Sequence, residues 1–155
     1  MVFVHQACTT IVLVTLTLLL QSAGMAVLIE WAKAHLPRAL HRFGPWRSGV
    51  LMVRLTTLIV CMHMLEILLW ALFYRLYCFS HWESAFYFSA TSYSTVGYGD
   101  LVLRQAWRLL GPMESITGVL MCGLSVSFLF AVVHRLVESD EQAELIEGRP
   151  EGQRP

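Results

Sequence analysis

Charge is what this 155-residue sequence has least of: 14% of its residues are charged and 56% are hydrophobic. A water-soluble domain carries about 25% charged and 45–50% apolar residues. There is too little charge here to cover a surface facing water, and a membrane location is the simplest reading. Eleven basic residues are matched by eleven acidic ones, which leaves no basic excess for binding nucleic acid. The four cysteines (Cys8, Cys61, Cys78, Cys122) make no CxxC pair and no Cys/His metal spacing. They read as ordinary apolar residues, with a Cys8–Cys78 bridge left open because both fall toward one membrane face. His5, His35, His41, His63, His81 and His134 form no catalytic or metal-ligand pattern, so an enzyme has no support. No segment places arginine at every third position, which excludes an arginine-rich voltage sensor.

What is present is length in apolar runs. Three blocks, at about residues 9–31, 50–79 and 107–137, each exceed the roughly 20 residues that a helix needs to cross a bilayer. The first block has no basic residue before Lys33 and is longer than a leader's apolar region, so it reads as a span and not as a cleaved signal. Between the first two blocks stand Lys33, Arg38, Arg42, Arg47 and, at the far edge, Arg54. Cytoplasmic loops are enriched in such residues, so this loop is expected inside, with the N-terminus extracytoplasmic and the C-terminus cytoplasmic. Pro37, Gly44 and Pro45 punctuate the loop. The polar residues 138–155 read as an extension of the last helix that frays into disorder.

The segment between the second and third blocks is different. Residues 82–94, WESAFYFSATSYS, predict a short helix, with Ser80 as its N-cap and Glu83 as a first-turn acid. It is too short to span and long enough to re-enter. The polar, glycine-punctuated stretch that follows, TVGYGD at residues 95–100, would be non-helical backbone at membrane depth. Such backbone is tolerated only inside protein or against a water-filled cavity. Glycine at 97 and 99 permits φ > 0, so successive carbonyls can turn to one axis while Val96 and Tyr98 pack away. A ring of such oxygens can replace the water shell of a cation.

Thr95-Val96-Gly97-Tyr98-Gly99-Asp100 resembles the selectivity filter of potassium channels. The flanking apolar blocks and short helix resemble the outer helix, pore helix and inner helix of a prokaryotic pore-domain potassium channel, over about residues 50–137. The resemblance implies an all-α membrane protein: three transmembrane helices, a re-entrant pore helix and a filter loop, assembling as a homotetramer because one chain supplies one loop. It divides the chain into an N-terminal helix with a basic loop (1–49), a pore domain (50–138) and an acidic tail (139–155). Carried over by residue, it makes Thr95, Val96, Gly97, Tyr98 and Gly99 the ion-binding stretch. Asp100 braces the filter against Tyr87, which stands where many relatives have tryptophan. Thr91 stands where some carry a glutamate, so that acid pair is missing here. Gly118 and Gly123 resemble hinge glycines of the inner helix, though close helix packing explains them equally well. Cys122, Val126 and Leu129 are expected to face the cavity. The partners implied are K+ as permeant ion, lipid and three further copies, with no cofactor.

Three polar features lie outside that pattern. His63 and Glu66, three apart, share one helix face with Trp70. They read either as a buried pair that fixes helix register or as a proton- or metal-sensitive latch against the short helix or block one. Glu114 is expected near a hydrated helix end, and Arg104 and Arg108 are expected to be solvated. Two other functions compete with selective conduction: a nonselective cation channel, and a non-conducting scaffold or regulatory subunit that binds a partner through its tail.

Overall fold

The computed structural model describes residues 2–40 and 45–147, with side chains described for 3–34, 49–135, 137 and 138. The described residues form four α-helices: α1 (Val2–Leu40), α2 (Pro45–Tyr77), α3 (Trp82–Tyr93) and α4 (Leu110–Glu147). A single 3-10 turn, Gln105–Trp107, precedes α4. Three stretches are long and apolar enough to cross a membrane: Phe3–Ala34, Gly49–Tyr77 and Gln105–Arg135. This is a multi-pass, all-helical architecture, and α3 is the short helix inserted between the second and third spans.

The helices overrun the predicted blocks, and the basic segment shrinks accordingly. Pro37 lies within α1 and does not end it. Pro45 is the first residue of α2, where its missing N–H costs nothing. Between the two helices, residues 41–44, with His41, Arg42 and Gly44 of the expected loop, fall outside the described residues, as do the side chains of Arg38 and Arg47. The tail is helical to Glu147, and residues 148–155 are likewise outside the description. Ser80 is not the cap of α3: His81 holds that position with extended backbone and no side-chain capping bond.

Helix α1 turns its polar residues inward. Gln6, Thr10, Thr17 and Gln21 are buried with Leu13, Leu28 and Ala32, while Phe3, Val4, Ile11, Val12, Leu19 and Val27 are exposed. That inversion suits a helix whose outside is hydrocarbon, where polar side chains gain most by pairing inside. Three contacts fasten α1 at three depths. Gln6 Nε2 donates to the Gln105 carbonyl (2.9 Å). Trp70 Nε1 of α2 donates to Thr17 Oγ1 (2.9 Å). Gln21 Nε2 donates to Ser125 Oγ (3.2 Å) and the Met121 carbonyl (3.3 Å) of α4.

The core is layered along the helices. One cluster, Leu13, Trp70, Tyr74, Ala85, Phe88, Leu103 and Leu110, packs α3 against the other helices. At the far end Leu28, Leu51, Leu55, Ile59 and Val132 join α1, α2 and α4. All four cysteines are free thiols, so no Cys8–Cys78 bridge forms. Burial pushes the Cys78 thiol up to about 11.

Candidate functional site: the α3 helix and the loop that follows it

Twelve residues of helix are about 18 Å long, short of the roughly 30 Å hydrocarbon core. Helix α3 is therefore too short to cross it, and the chain leaves the helix in non-helical form. It does so under control. Ser94 N–H donates to the Ala90 carbonyl (3.1 Å), Thr95 N–H to Ser92 (3.0 Å) and Gly97 N–H to Thr91 (3.1 Å). These contacts use the open carbonyls at the helix C-terminus to hold the start of the loop. Thr91 and Ser94 also return their hydroxyls to helix carbonyls, at 2.9 and 2.6 Å to Tyr87 and Ala90.

In the loop itself the sign of φ alternates. Thr95 (φ 63°), Gly97 (50°) and Gly99 (80°) are left-handed, while Val96 and Tyr98 keep negative φ. Glycine makes this conformation cheaply. Thr95 does not: a β-branched residue at positive φ is an outlier, and such strain, about 1–3 kcal/mol, persists only where the surroundings over-determine it. Among the described residues, no donor reaches the carbonyls of residues 95–99. Val96 and Tyr98 are 52% and 72% exposed in the single chain.

Asp100 caps the stretch by accepting from the Leu101 N–H (3.0 Å). Its carboxylate also acts on the Tyr87 hydroxyl of α3 as a hydrogen-bond acceptor, and this interaction raises the phenol above the ordinary tyrosine value. The Tyr87 and Tyr98 rings stack at 6.4 Å and 12°. Between the loop and the start of α4 lies a cleft of about 460 Å³ walled by Phe88, Ser92, Gly97, Asp100, Arg108 and Ser115. Arg104 and Arg108 are both exposed.

At the foot of α3, the pair singled out in α2 acquires a third member. His63 Nδ1 is 3.2 Å from Glu66 Oε2 and 2.9 Å from the Tyr93 hydroxyl, which itself hydrogen-bonds Glu66 Oε2. Tyr93 is the last residue of α3, so the cluster ties α2 to the point where the loop begins. Glu66 is fully buried, and its Oε1 has no partner. Sequence reasoning missed Tyr93; the available signal was a tyrosine at the very end of the short helix, together with an acid in α2 that needed a donor.

Behind α3 the expectation for Glu114 is corrected. It is not hydrated but wholly buried, bonded to the hydroxyls of Tyr74 (2.8 Å) and Ser89 (2.6 Å). Its neighbour Ser115 donates to the Ser92 carbonyl (2.6 Å). At Gly118 α4 passes close against α3, since a Cβ there would overlap the Tyr93 carbonyl oxygen. Nothing lies within 4 Å of such an atom at Gly123. On α4, Cys122 and Val126 are exposed. Leu129 is turned partly away from them, packed on the cluster with Leu28 and Leu55.

A family model described as an ion channel matches residues 62–135, just under half of the chain. The match begins within α2 and runs through α3, the loop and most of α4. It supports an ion channel, and thus transport and not catalysis. No curated protein and no solved structure matches the chain.

Proposed function

We propose that this chain is the subunit of a potassium-selective channel, in which residues 95–99 of four copies form the filter. The observation that carries the reading is the alternation of φ at Thr95, Gly97 and Gly99 along carbonyls with no protein donor. Alternating left- and right-handed residues turn successive peptide planes over, so neighbouring carbonyls can share a side. Backbone acceptors left unpaired at membrane depth need a partner, and a dehydrating K+ ion supplies it. The sequence TVGYGD, set after a short helix, adds the resemblance to potassium-channel filters.

One chain cannot surround an ion with such a loop. The exposed Val96 and Tyr98 side chains face away from their own protomer's core, and neighbouring copies would cover them. Four-fold closure gives each ion layer four carbonyls. Asp100, held by Tyr87, braces the outer end of the loop, and the negative C-terminal end of the α3 dipole favours a cation on its axis. The basic residues Lys33, Arg38, Arg42, Arg47 and Arg54 set the α1–α2 connection and the C-terminus on the cytoplasmic side of the cell membrane, with the N-terminus outside. Conduction is passive: ions shed water, occupy adjacent sites and displace one another.

The test is ion flux from liposomes containing the purified protein, with single-channel recording and ion substitution. K+ flux that Na+ fails to replace, from a particle of four chains, is the expected result. Equal flux of both ions would make it a nonselective cation channel. Absence of flux across pH, voltage and tension would leave a membrane scaffold.

A further inference from the structure

The closed cluster around Glu114 contains more contacts than its two hydroxyls have protons. Glu114 of α4, Tyr74 of α2 and Ser89 of α3 are each fully excluded from solvent. Tyr74 Oη lies 2.8 Å from Glu114 Oε2. Ser89 Oγ lies 2.6 Å from Glu114 Oε1 and 2.8 Å from the Ile67 carbonyl of α2. All three distances are full-strength O–H···O contacts. Tyr74 and Ser89 own one proton each, so a third is needed, and the remaining group that can carry it is the Glu114 carboxyl. No cation offers an alternative: the ion pairs among the described residues are Lys33–Glu30, His63–Glu66 and His134–Glu138. The titratable groups acting on the cluster are Tyr74 of α2 and Tyr93 of α3, which act on Glu114, and Cys78, which follows α2 and acts on Tyr74. A carboxylate sealed here would keep a large desolvation penalty with no opposite charge to offset it.

We propose that Glu114 is a positioning residue for the pore and works as a neutral carboxylic acid. Its proton goes to Ser89 Oγ, the Ser89 proton goes to the Ile67 carbonyl, and the Tyr74 proton goes to Glu114 Oε2. The relay leaves α2 at Tyr74, crosses α4 and α3, and returns to α2 at Ile67, so one acid fixes the depth of α3 against both neighbours. Ser115, the next residue of α4, holds the Ser92 carbonyl one turn further along α3. Together they hold the helix three residues short of Thr95. The role rests on the channel reading; the protonation state does not.

Glu114→Gln supplies the same pattern without an ionisable proton: its amide donates to Ser89 and its carbonyl accepts from Tyr74. In the liposome assay, Glu114→Gln is expected to keep K+ flux and K+/Na+ discrimination within about twofold of the wild type. Glu114→Leu is expected to lose about tenfold or more, as fits a broken buried hydrogen-bond set. Infrared difference spectra of wild type minus Glu114→Gln at neutral pH should show the carbonyl stretch of a protonated acid. Loss of discrimination in Glu114→Gln as deep as in Glu114→Leu, with no acid band, would mean that the charge is needed and would overturn the proposal. Full selectivity in Glu114→Leu would overturn the positioning role. Should Glu114→Leu fail to assemble, Ser89→Ala and Tyr74→Phe each cut one link at little change in volume, and unaltered selectivity in both would have the same force. A wild type that conducts no K+ sinks the channel reading, while the infrared band still decides the state of Glu114.

Discussion

The back and the front of α3 are finished to different degrees. At the back, Glu114, Tyr74 and Ser89 are sealed from solvent and paired by three short contacts. At the front, Val96, Tyr98 and Asp100 are exposed, five successive carbonyls have no donor within the described residues, and Tyr87 meets Asp100 in the open. Both faces are polar, yet only one is satisfied by its own chain. The back is thus the part of the fold that a single protomer must complete. Under the proposed function, the front is left for an ion and for other copies. The foot of α3 lies between these cases: Tyr93, Glu66 and His63 pair with one another, but Glu66 Oε1 stays unpartnered and His63 is only partly buried.

If that contrast is right, substitutions behind α3 should cost protomer stability and those in front should spare it. The largest effect is expected from Gly118→Val, which drives a side chain into the Tyr93 backbone. It should lower stability by about 3 kcal/mol, read as thermal unfolding in detergent, whereas Gly123→Val should leave protomer unfolding nearly unchanged. Equal losses at both sites would erase the distinction between close packing and open helix surface.

Tyr93→Phe comes next. It removes the hydroxyl that Glu66 and His63 share and should cost about 1–3 kcal/mol, as for a buried polar group stripped of a partner. A cost near zero would show that water already serves the foot of α3. Thr17→Val removes the acceptor of the Trp70 indole and should cost about 1 kcal/mol. It asks whether α1 belongs to the sealed part of the protomer.

The smallest effect on stability is expected at the front. Asp100→Asn should change unfolding by less than about 0.5 kcal/mol, as for an exposed site, while reducing K+ discrimination. It should also shift the Tyr87 phenol. The Asp100 carboxylate favours the protonated phenol, so the Tyr87 pKa is raised and this contact is present below the ordinary tyrosine value of about 10. The contact weakens as pH rises through the raised value. Removing the carboxylate should bring the titration down, measurable as the ultraviolet difference between Asp100→Asn and the same variant carrying Tyr87→Phe. No downward movement would mean that the Tyr87–Asp100 bond does not form in solution.

Much of this was legible in the residues themselves. Apolar run length alone fixed three spanning helices, because hydrocarbon leaves a backbone few other ways to satisfy its hydrogen bonds. Glycine at 97 and 99 announced positive φ, because a Cβ opposes it; the same strain at Thr95 was invisible, since a β-branched residue carries no mark of it. Helix ends were misjudged at Pro37, Pro45 and Ser80, because what stops or starts a helix depends on neighbours as well as on the residue.

Sequence by itself determined that the chain lives in a membrane and sets a short helix and a glycine-alternating loop between its second and third apolar stretches; local backbone chemistry and hydrocarbon solvation suffice for that. Only the tertiary structure decided which acids are hidden and what they bond. Glu114 looked hydrated and proved sealed, and Tyr93 looked unremarkable and proved to close the Glu66 cluster. Interhelical hydrogen-bond partners lie 22 to 104 positions apart in the chain, and no local pattern records which of them will meet.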